Sequence, residues 1–373
     1  MTGGWAGLLA DGPVEASAPC RIDLGGTLDL AAVGLPLDLL APCTVNIALN
    51  LRTRVSVGTG VPGWIQVEAN GFAPAGFAPG QAPYDHPLGL IFAVADCFGC
   101  DGVHIRIASS SPPRSALGGS SVAAVALVAA LSRALAPLAP RCIRRRQIAL
   151  LARRIEGAAA GVACGLQDQL AAAYGGINAW YWCHRRGPAA FRRKRLAAPG
   201  GIDALNRCLL VAYGGNPHVS LDVNGRWVDA FRHGGAPRDL WRRIAALTHE
   251  FIDAWERGDL KAAGAVLNAD TRLRRQMTPE VLDEGGRRLV ETAMAAGCGA
   301  RFAGAGGGGC VWALGTPSAI AGLRETWQSV LASIPDGLLL AAGVDSRGVA
   351  VSMPGDPETR VRAESKTAVR RGA

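Results

Sequence analysis

The sequence predicts a protein of two mixed α/β domains. Its 373 residues are 49% hydrophobic, which is enough for a large core and excludes global disorder. Alternating strand-like patterns and helical patterns occur in both halves of the chain. The segment AAPGG near residue 200 lies between the halves. We therefore expect domains over 1–200 and 201–353, and a loose, charged tail over 354–373.

The first half contains strands followed by helices. Residues 43–60 alternate β-formers with polar residues and end on glycines, which predicts one strand or two. Residues 102–110 alternate in the same way and place Val103, Ile105 and Ile107 on one face. Helical patterns follow at 119–135, 143–160 and 166–174.

The second half begins with a predicted strand at 206–215. Long helical patterns cover 237–268 and 279–297. A glycine-rich loop lies between two strand-like pieces within 299–314, and a last helix is predicted at 317–332.

Charge and cysteine content limit the function classes. The net charge of +9 suits nucleic acid or small anionic substrates, and the basic clusters at 141–147 and 185–195 carry no aromatic or zinc-finger signature. We read them as solvated faces and expect no nucleic-acid partner. Cys97 and Cys100 have CxxC spacing without a second pair, so we leave their role open and expect reduced thiols. Without a signal peptide, and with its longest apolar run only Val122–Leu131, the chain is expected to be cytoplasmic, with no membrane partner.

The segment PPRSALGGSS, residues 112–121, is the first motif that indicates chemistry. It precedes a helix that looks buried on every side, and the first turn of any helix has unpaired N–H groups that favour an anion. Its small residues let backbone N–H groups point into one concavity. Ser120 or Ser121 then caps the helix or ligates Mg²⁺. An ordinary Ser-capped helix explains the segment equally well, and it is not a Walker A motif.

This segment resembles the phosphate loop of the GHMP kinases, P-x-x-x-G-L-G-S-S. Two more motifs occur in the family's order: SAPCRIDLGGTLDL at 17–30 is similar to the segment that meets the sugar, and GARFAGAGGGGCVWAL at 299–314 to the glycine motif that abuts the phosphate loop. The resemblance implies an α+β, two-domain GHMP kinase fold, with an N-terminal domain like ribosomal protein S5 domain 2 and a ferredoxin-like C-terminal domain. It implies ATP and Mg²⁺ as cofactors. The loop residues implied to bind the nucleotide are Pro113, Ser115, Ala116, Leu117, Gly118, Gly119, Ser120 and Ser121.

The third motif also contains a dinucleotide fingerprint, G-x-G-x-x-G, at Gly304, Gly306 and Gly309. That fingerprint requires a helix directly after the glycines, whereas CVWAL is strand-like. We therefore do not expect a Rossmann domain.

Four charged residues are assigned roles by the resemblance. Asp168, in CGLQDQ, orients or deprotonates the acceptor hydroxyl, and Arg21 lies beside it and stabilises the transferring phosphoryl group. Glu156 with Ser120 holds Mg²⁺, and Asp29 binds sugar hydroxyls. The plainer alternatives are a surface pair of Glu156 with Arg153 and a helix-cap role for Asp168.

The acceptor is expected to be a sugar or sugar phosphate. RIDLGG and GLQDQLAAAYGGINAW look most like the branch with D-glycero-D-manno-heptose 7-phosphate kinase and bacterial fucokinase, which phosphorylate an anomeric hydroxyl. The departures are Ala116 and Gly119 in the phosphate loop, Arg301 where the family has Lys, and a first motif one residue shorter than in that branch. The implied substrate contacts are Asp23, Gly25, Gly26, Asp29, Gly306 and Gly307.

Other interpretations remain open at this stage. His218, Ser220 and Asn224 are either further acceptor contacts or part of a polar hairpin or loop. Arg114 and the run at 192–195 are candidates for a second anion site. The alternative functions are a galactokinase-like or isoprenoid-type kinase and a non-catalytic, nucleotide-binding regulator of the same fold. The oligomeric state is not predicted.

Overall fold

The computed structural model describes residues 4–138, 143–161, 164–187, 189–217 and 223–354. Its strands are β1 Val14–Leu24, β2 Cys43–Thr59, β3 Ile65–Ala69, β4 Ala75–Phe77, β5 Val103–Ser109, β6 Ile177–Trp182, β7 Phe191–Arg195, β8 Leu209–Gly214, β9 Gly299–Phe302, β10 Cys310–Leu314, β11 Gly337–Leu340 and β12 Ala350–Ser352. Its α-helices are α1 Trp5–Leu8, α2 Ala31–Gly34, α3 Gly89–Cys97, α4 Gly119–Ala134, α5 Arg145–Ala160, α6 Gln167–Tyr174, α7 Ile202–Asn206, α8 Val223–His233, α9 Ala236–Glu256, α10 Leu260–Met277, α11 Glu284–Ala295 and α12 Pro317–Leu331.

The long strand β2 organises the first sheet. One edge of β2 pairs antiparallel with β1, and its other edge pairs with β6 near its start and with β5 near its end. The sheet runs β12-β1-β2-β5-β3-β4, with β7 beyond β6, and the β3–β5 pair is parallel. As predicted, Val103, Ile105 and Ile107 of β5 are all buried on one face.

Helix α4 is buried because it lies between the sheet and the other helices of its domain. It packs on β1 and β2, and α3, α5 and α6 pack around it. Its many alanines allow this close approach on every side, which explains why its sequence has no polar face. The helix therefore presents its first turn, and little else, to the interior of a cleft.

The second sheet forms a β-α-β-β-α-β unit. Its strands lie in the order β11-β8-β10-β9, all antiparallel, with α10, α11 and α12 packed against them. In chain order this is 4-1-3-2, the ferredoxin-like arrangement that the resemblance implies. Because β9 leads through the glycine loop straight into β10, a dinucleotide-binding βα unit does not form here.

Two predicted elements need correction. The predicted helix 237–268 is two helices, because Gly258 adopts a positive φ of 71° and Asp259 then caps α10, accepting a hydrogen bond from Ala262 N at 2.9 Å. Asn224, for which a polar hairpin or loop was the alternative interpretation, lies instead in the helix α8. A strand pair also crosses the predicted division of the chain, since β12 follows the second sheet but pairs with β1 in the first.

The sequence also led to expectations about membrane-spanning helices, the cysteines and the C-terminal tail. No helix in the described ranges is both long and apolar enough to cross a membrane. The cysteines in those ranges are all free thiols, with Cys97 exposed and Cys100 buried. The predicted tail after Pro354 lies outside the described residues.

Candidate active site

The loop after β5 brings the start of α4 into the cleft between the two sheets. Gly118 is the N-cap of α4, with a φ of 81° and no side-chain cap. This corrects the expectation that Ser120 or Ser121 caps the helix, because both hydroxyls instead face Glu156. Gly119 is exposed, and a Cβ added there meets no atom within 4 Å. The first turn of α4 is thus bare, in the sense that no side chain caps its backbone N–H groups, and these groups can bind an anion.

Glu156 lies beside that turn and is not the surface residue of the alternative interpretation. The Ser121 hydroxyl is 2.9 and 2.7 Å from its two carboxylate oxygens, and Gln169 Nε2 donates to Oε2 at 2.6 Å. Arg153 does not pair with it; its Nε donates to the Cys164 carbonyl. Burial and then the nearby Asp168 carboxylate raise the pKa of Glu156, against the opposing hydrogen bonds from Ser121 and Gln169.

This corner offers hydroxyl and carboxylate oxygens, the ligand type that Mg²⁺ prefers. Ser120 is exposed and Glu156 Oε1 lies 3.4 Å from its hydroxyl, so one cation can reach both. Within the residues that the structure describes, no group of three or more His, Cys, Asp or Glu side chains is placed to hold a metal. A cation bound here would therefore take its other ligands from phosphate oxygens or water.

Asp168 and Arg21 form the central pair of the site. Arg21 Nε donates to Asp168 Oδ1 at 2.8 Å and Nη2 donates to Oδ2 at 3.1 Å, which is a bidentate pair. Asp168 is in the first turn of α6 without capping it, and its side chain is 23% exposed. Burial opposes ionisation of Arg21, but the carboxylates of Asp168 and Asp23 raise its pKa above the ordinary value. The guanidinium is therefore permanently charged.

Asp29 lines the same cavity and holds the start of α6 in place. Its Oδ2 accepts hydrogen bonds from Leu166 N at 2.7 Å and Gln167 N at 3.1 Å. Burial raises the pKa of this carboxyl, and the two backbone donors lower it, with burial the larger effect. Its position at the cavity wall fits a contact with hydroxyl groups.

The remaining predicted substrate contacts are placed differently. Gly26 lines the cavity, but Asp23 is 1% exposed and engaged by Arg301 and by Gly304 N. Gly25 packs against Cys43 O and Thr248, where a Cβ would not fit.

Among the glycines of the third motif, too, some line the cavity and others do not. Gly307 N donates to the Val281 carbonyl at 2.9 Å, and a Cβ added at Gly306 would meet the same carbonyl. Neither glycine lines the cavity. The wall residues from this motif are instead Gly304 and Ala305.

The third motif abuts the phosphate loop, as the resemblance implies. Cys310 N of this motif donates to Ser115 O of the loop at 2.9 Å. Arg21 of the first motif also contacts the loop, because its Nη1 donates to Ala116 O at 2.7 Å. Ala116, where the family has Gly, has a positive φ of 61°. The loop thus keeps the left-handed backbone that a glycine would adopt without strain.

A cavity of about 610 Å³ joins these groups. Its far wall is α8, which sequence reasoning missed as a helix, although Val223, Trp227 and Phe231 recur at helical spacing. Asn224 Oδ1 accepts a hydrogen bond from Thr27 Oγ1 at 2.8 Å and so joins α8 to the first motif. The lining residues are Arg21, Gly26, Thr27, Asp29, Leu30, Ser121, Glu156, Cys164, Gly165, Gln167, Asp168, Gln169, Asn224, Gly225, Val228, Asp229, Arg232, Gly304 and Ala305.

The predicted basic anion sites do not line this cavity. Arg114 is exposed outside it. The run 192–195 lies in the edge strand β7, where the Arg192 guanidinium stacks on the Tyr181 ring, with Cζ 4.0 Å from the ring centroid. The basic residue that reaches the cavity from the second domain is Arg232 of α8. His218 and Ser220 lie outside the described residues.

The chain has a ferredoxin-like domain that faces a second sheet domain. Between them a glycine-containing loop leads into a buried helix. This is the architecture of a class of small-molecule kinases. Two family models match the chain, "GHMP kinases N terminal domain" over residues 86–176 and "GHMP kinases C terminal" over 251–333. The chain belongs to the GHMP kinase superfamily.

Solved structures share this fold at low sequence identity. Galactokinase of Lactococcus lactis complexed with galactose has a TM-score of 0.69 at 16% identity, covering 91% of this chain and 95% of its own. A D-glycero-D-manno-heptose 1-phosphate kinase of Bacteroides thetaiotaomicron has a TM-score of 0.63 at 17% identity, covering 91% and 99%. The mevalonate kinase of Methanococcus jannaschii has a TM-score of 0.67 at 15% identity, covering 89% and 98%. No curated protein sequence matches the chain.

Proposed function

We propose that the protein is an ATP-dependent kinase that phosphorylates a sugar or sugar phosphate, at the anomeric hydroxyl. The observation that carries the proposal is the bidentate Arg21–Asp168 pair, which faces the cleft next to the bare first turn of α4. The bare turn suits a phosphate group, and the carboxylate suits a hydroxyl acceptor. Glu156 and the serines lie beside the same turn, where they fit a Mg²⁺ ion.

Each group has a defined part in the transfer. Asp168 orients the acceptor hydroxyl and takes its proton as the acceptor oxygen bonds to the γ-phosphorus. The bond from that phosphorus to the β-bridging oxygen breaks, and ADP leaves. Arg21 holds the Asp168 carboxylate and places its positive charge beside the transferring group. Mg²⁺, when bound by Glu156 and Ser120, neutralises phosphate charge.

The experiment is a coupled ADP-release screen over free and phosphorylated hexoses and heptoses. Phosphorylation of a sugar, with ³¹P and ¹³C NMR locating the new phosphate at the anomeric carbon, is the expected result. Nucleotide binding without turnover on any acceptor would favour the non-catalytic regulator instead. Turnover of mevalonate but no sugar would favour an isoprenoid-type kinase.

Arg232 is the residue that could bind a phosphate group already present on the acceptor. Its side chain is exposed, and within the described part of the chain its ion pair is a long one to Asp229, 3.4 Å from Nη1 to Oδ1. A phosphate on the acceptor fits this guanidinium, and losing one such charged hydrogen bond costs about tenfold to a hundredfold in affinity. A phosphorylated sugar should therefore exceed its free counterpart in kcat/KM, and high salt should narrow the difference.

The variant Arg232→Met should remove this preference. The matched control is Arg226→Met on the same helix, because Arg226 pairs with Glu280 and does not line the cavity. The competing candidate is a galactokinase-like, free-sugar kinase. It is favoured by the cavity's charges, four carboxylates against two guanidinium groups, and equal use of both sugars at all salt concentrations would establish it.

A further inference from the structure

A series of charges of alternating sign, all buried except the first, runs from the cavity into the second domain. Arg21 Nη1 lies 3.7 Å from Asp23 Oδ1, and Arg301 Nη1 lies 3.2 Å from Asp23 Oδ2. Arg301 Nε lies 2.7 Å from Asp270 Oδ2. In order, the series is Asp168, Arg21, Asp23, Arg301, Asp270 and Arg274.

The series crosses from one domain to the other at Asp23 and Arg301. Asp23 belongs to β1 of the first sheet and Arg301 to β9 of the second, and both side chains are fully buried. At the far end of the series, the Arg274 guanidinium stacks on two indole rings. Its Cζ lies 4.8 Å from the ring centroid of Trp227 and 4.6 Å from that of Trp241, and these contacts hold it in place. Its Nη2 also donates to Gly26 O at 2.8 Å.

Stability alone is a poor explanation for this arrangement. The free-energy cost of removing charges from water offsets much of the gain from their mutual attraction, and a buried ion pair is often no more stable than an apolar replacement. Burial lowers the pKa of Arg274 to about 10, and Arg301 Nη2 and Arg274 Nη1 have no hydrogen-bond partner among the described residues. A set of groups that is costly to bury and incompletely paired points to a geometric role.

The geometric role concerns Arg21. Asp23 Oδ1 accepts a hydrogen bond from Gly304 N at 2.7 Å and lies close to Arg21, which also binds Asp168. Arg301 fixes Asp23 through both its carboxylate and its carbonyl. We propose that Asp23 and Arg301 are positioning residues, which transmit the seating of the second domain to the Arg21–Asp168 pair. This inference rests on the proposed function, and it replaces the expected substrate contact of Asp23 with an indirect role.

The test compares three single variants with the wild-type protein. Asp23→Asn removes one charge with little change in shape, and Arg301→Met removes the ion pair that Arg301 makes with Asp23 across the two domains. Arg301→Lys restores a positive charge at that position. The matched control is Arg52→Met, because Arg52 pairs with Asp345 across distant parts of the chain but contacts neither Arg21 nor the cavity.

The expected result is a loss in kcat without a matching loss in binding. Because a misplacement of about 1 Å can cost about a hundredfold in rate, Asp23→Asn and Arg301→Met should lower kcat about tenfold to a hundredfold, with KM values changed by less than about threefold. Arg301→Lys should recover part of the loss, and Arg52→Met should lower the melting temperature while leaving kcat near the wild-type value.

Crystal structures of the variants give a readout that does not depend on turnover. The Arg21 Nε–Asp168 Oδ1 distance, 2.8 Å here, should lengthen in Asp23→Asn and stay unchanged in Arg52→Met. An unchanged pair in Asp23→Asn, or equal losses of kcat in Asp23→Asn and Arg52→Met, would overturn the inference. If the wild-type protein phosphorylates no acceptor, the proposed function fails, while the crystal structures still decide whether Asp23 positions Arg21.

Discussion

At the scale of single residues, Asp168 is the group on which turnover should depend most. Asp168→Asn keeps the shape of the side chain but removes the proton acceptor, so we expect kcat to fall about 10²–10⁴-fold. Nucleotide affinity should change little, because in the proposed mechanism Asp168 contacts the acceptor. Steady-state kinetics and nucleotide titration measure the two effects.

The control for this variant is Asp203→Asn, a carboxylate of α7 away from the cavity. It should leave both parameters at their wild-type values. Near-wild-type turnover in Asp168→Asn would remove Asp168 from the mechanism.

The phosphate loop contains two adjacent glycines that have different roles. A Cβ at Gly118 would lie 3.2 Å from the Asp168 carboxyl, so Gly118→Val disturbs the proposed base as well as the phosphate site. A Cβ at Gly119 meets no protein atom within 4 Å. Gly119→Val should therefore fold normally and weaken ATP binding about tenfold to a hundredfold, by blocking charge-assisted hydrogen bonds to phosphate.

Calorimetric titration with a non-hydrolysable ATP analogue measures this loss, and Gly119→Ala should show a smaller one. Unaltered affinity in a folded Gly119→Val protein is incompatible with phosphate binding at this turn.

The pH dependence of metal activation should reveal Glu156. Metal binding requires the carboxylate form, and the raised pKa of Glu156 means that protonation begins at a higher pH than for an ordinary glutamate, about 4.3. The apparent Mg²⁺ affinity should therefore begin to weaken at a higher pH than it would at a site with an ordinary glutamate. Mn²⁺ binding followed by electron paramagnetic resonance, in the presence of nucleotide, measures it without turnover. An affinity that stays constant until the pH reaches the range of an ordinary glutamate, about 4.3, would exclude Glu156 as the titrating ligand.

At the scale of elements, the side-chain cap that follows the break between α9 and α10 should stabilise α10. Asp259 caps α10, which carries Asp270 and Arg274, so Asp259→Ala should cost about 0.5–2 kcal/mol of unfolding free energy. Denaturant unfolding measures this cost, and Asp253→Ala within α9 is the control. Equal stability of the two variants would show that the cap contributes nothing.

The elements also show how far the sequence could predict the molecule. The phosphate loop, its helix and both glycine segments were predictable because glycine, proline and hydroxyl residues have strong local preferences. The grouping of Arg21 with Asp168 followed from the family resemblance alone, since no local pattern joins positions so far apart in the chain.

The features that sequence reasoning missed have physical causes as well. Helix α8 was missed because Asn224 and Gly225 favour turns, and its helical conformation depends on burying Val223, Trp227 and Phe231. The burial of Asp23 could not be predicted, because it arises from Arg301, a residue of the other domain. Strand β12 was not predicted, because three residues are too short for a periodic signal.

At the scale of the whole molecule, the two domains should unfold together. Strand β12, which follows the second sheet, pairs with β1, and Arg52 pairs with Asp345. We expect one thermal transition, with tryptophan fluorescence and far-ultraviolet circular dichroism giving the same midpoint. A chain truncated after Val349 should instead lose stability, with its first domain melting earlier.

A chain truncated after Met353 is the control and should behave like the 373-residue protein. Two separate transitions in the intact protein would show that β12 does not couple the domains.

The pairing of β12 with β1 also has a consequence for synthesis. The ribosome makes β1 long before β12, at about 5–20 residues per second. Throughout that interval the outer edge of β1 lacks the strand that covers it in the folded protein, and unpaired strand edges are sites of aggregation. Until β12 emerges, the nascent chain therefore carries an uncovered strand edge through which it can associate with neighbouring nascent chains on a polysome.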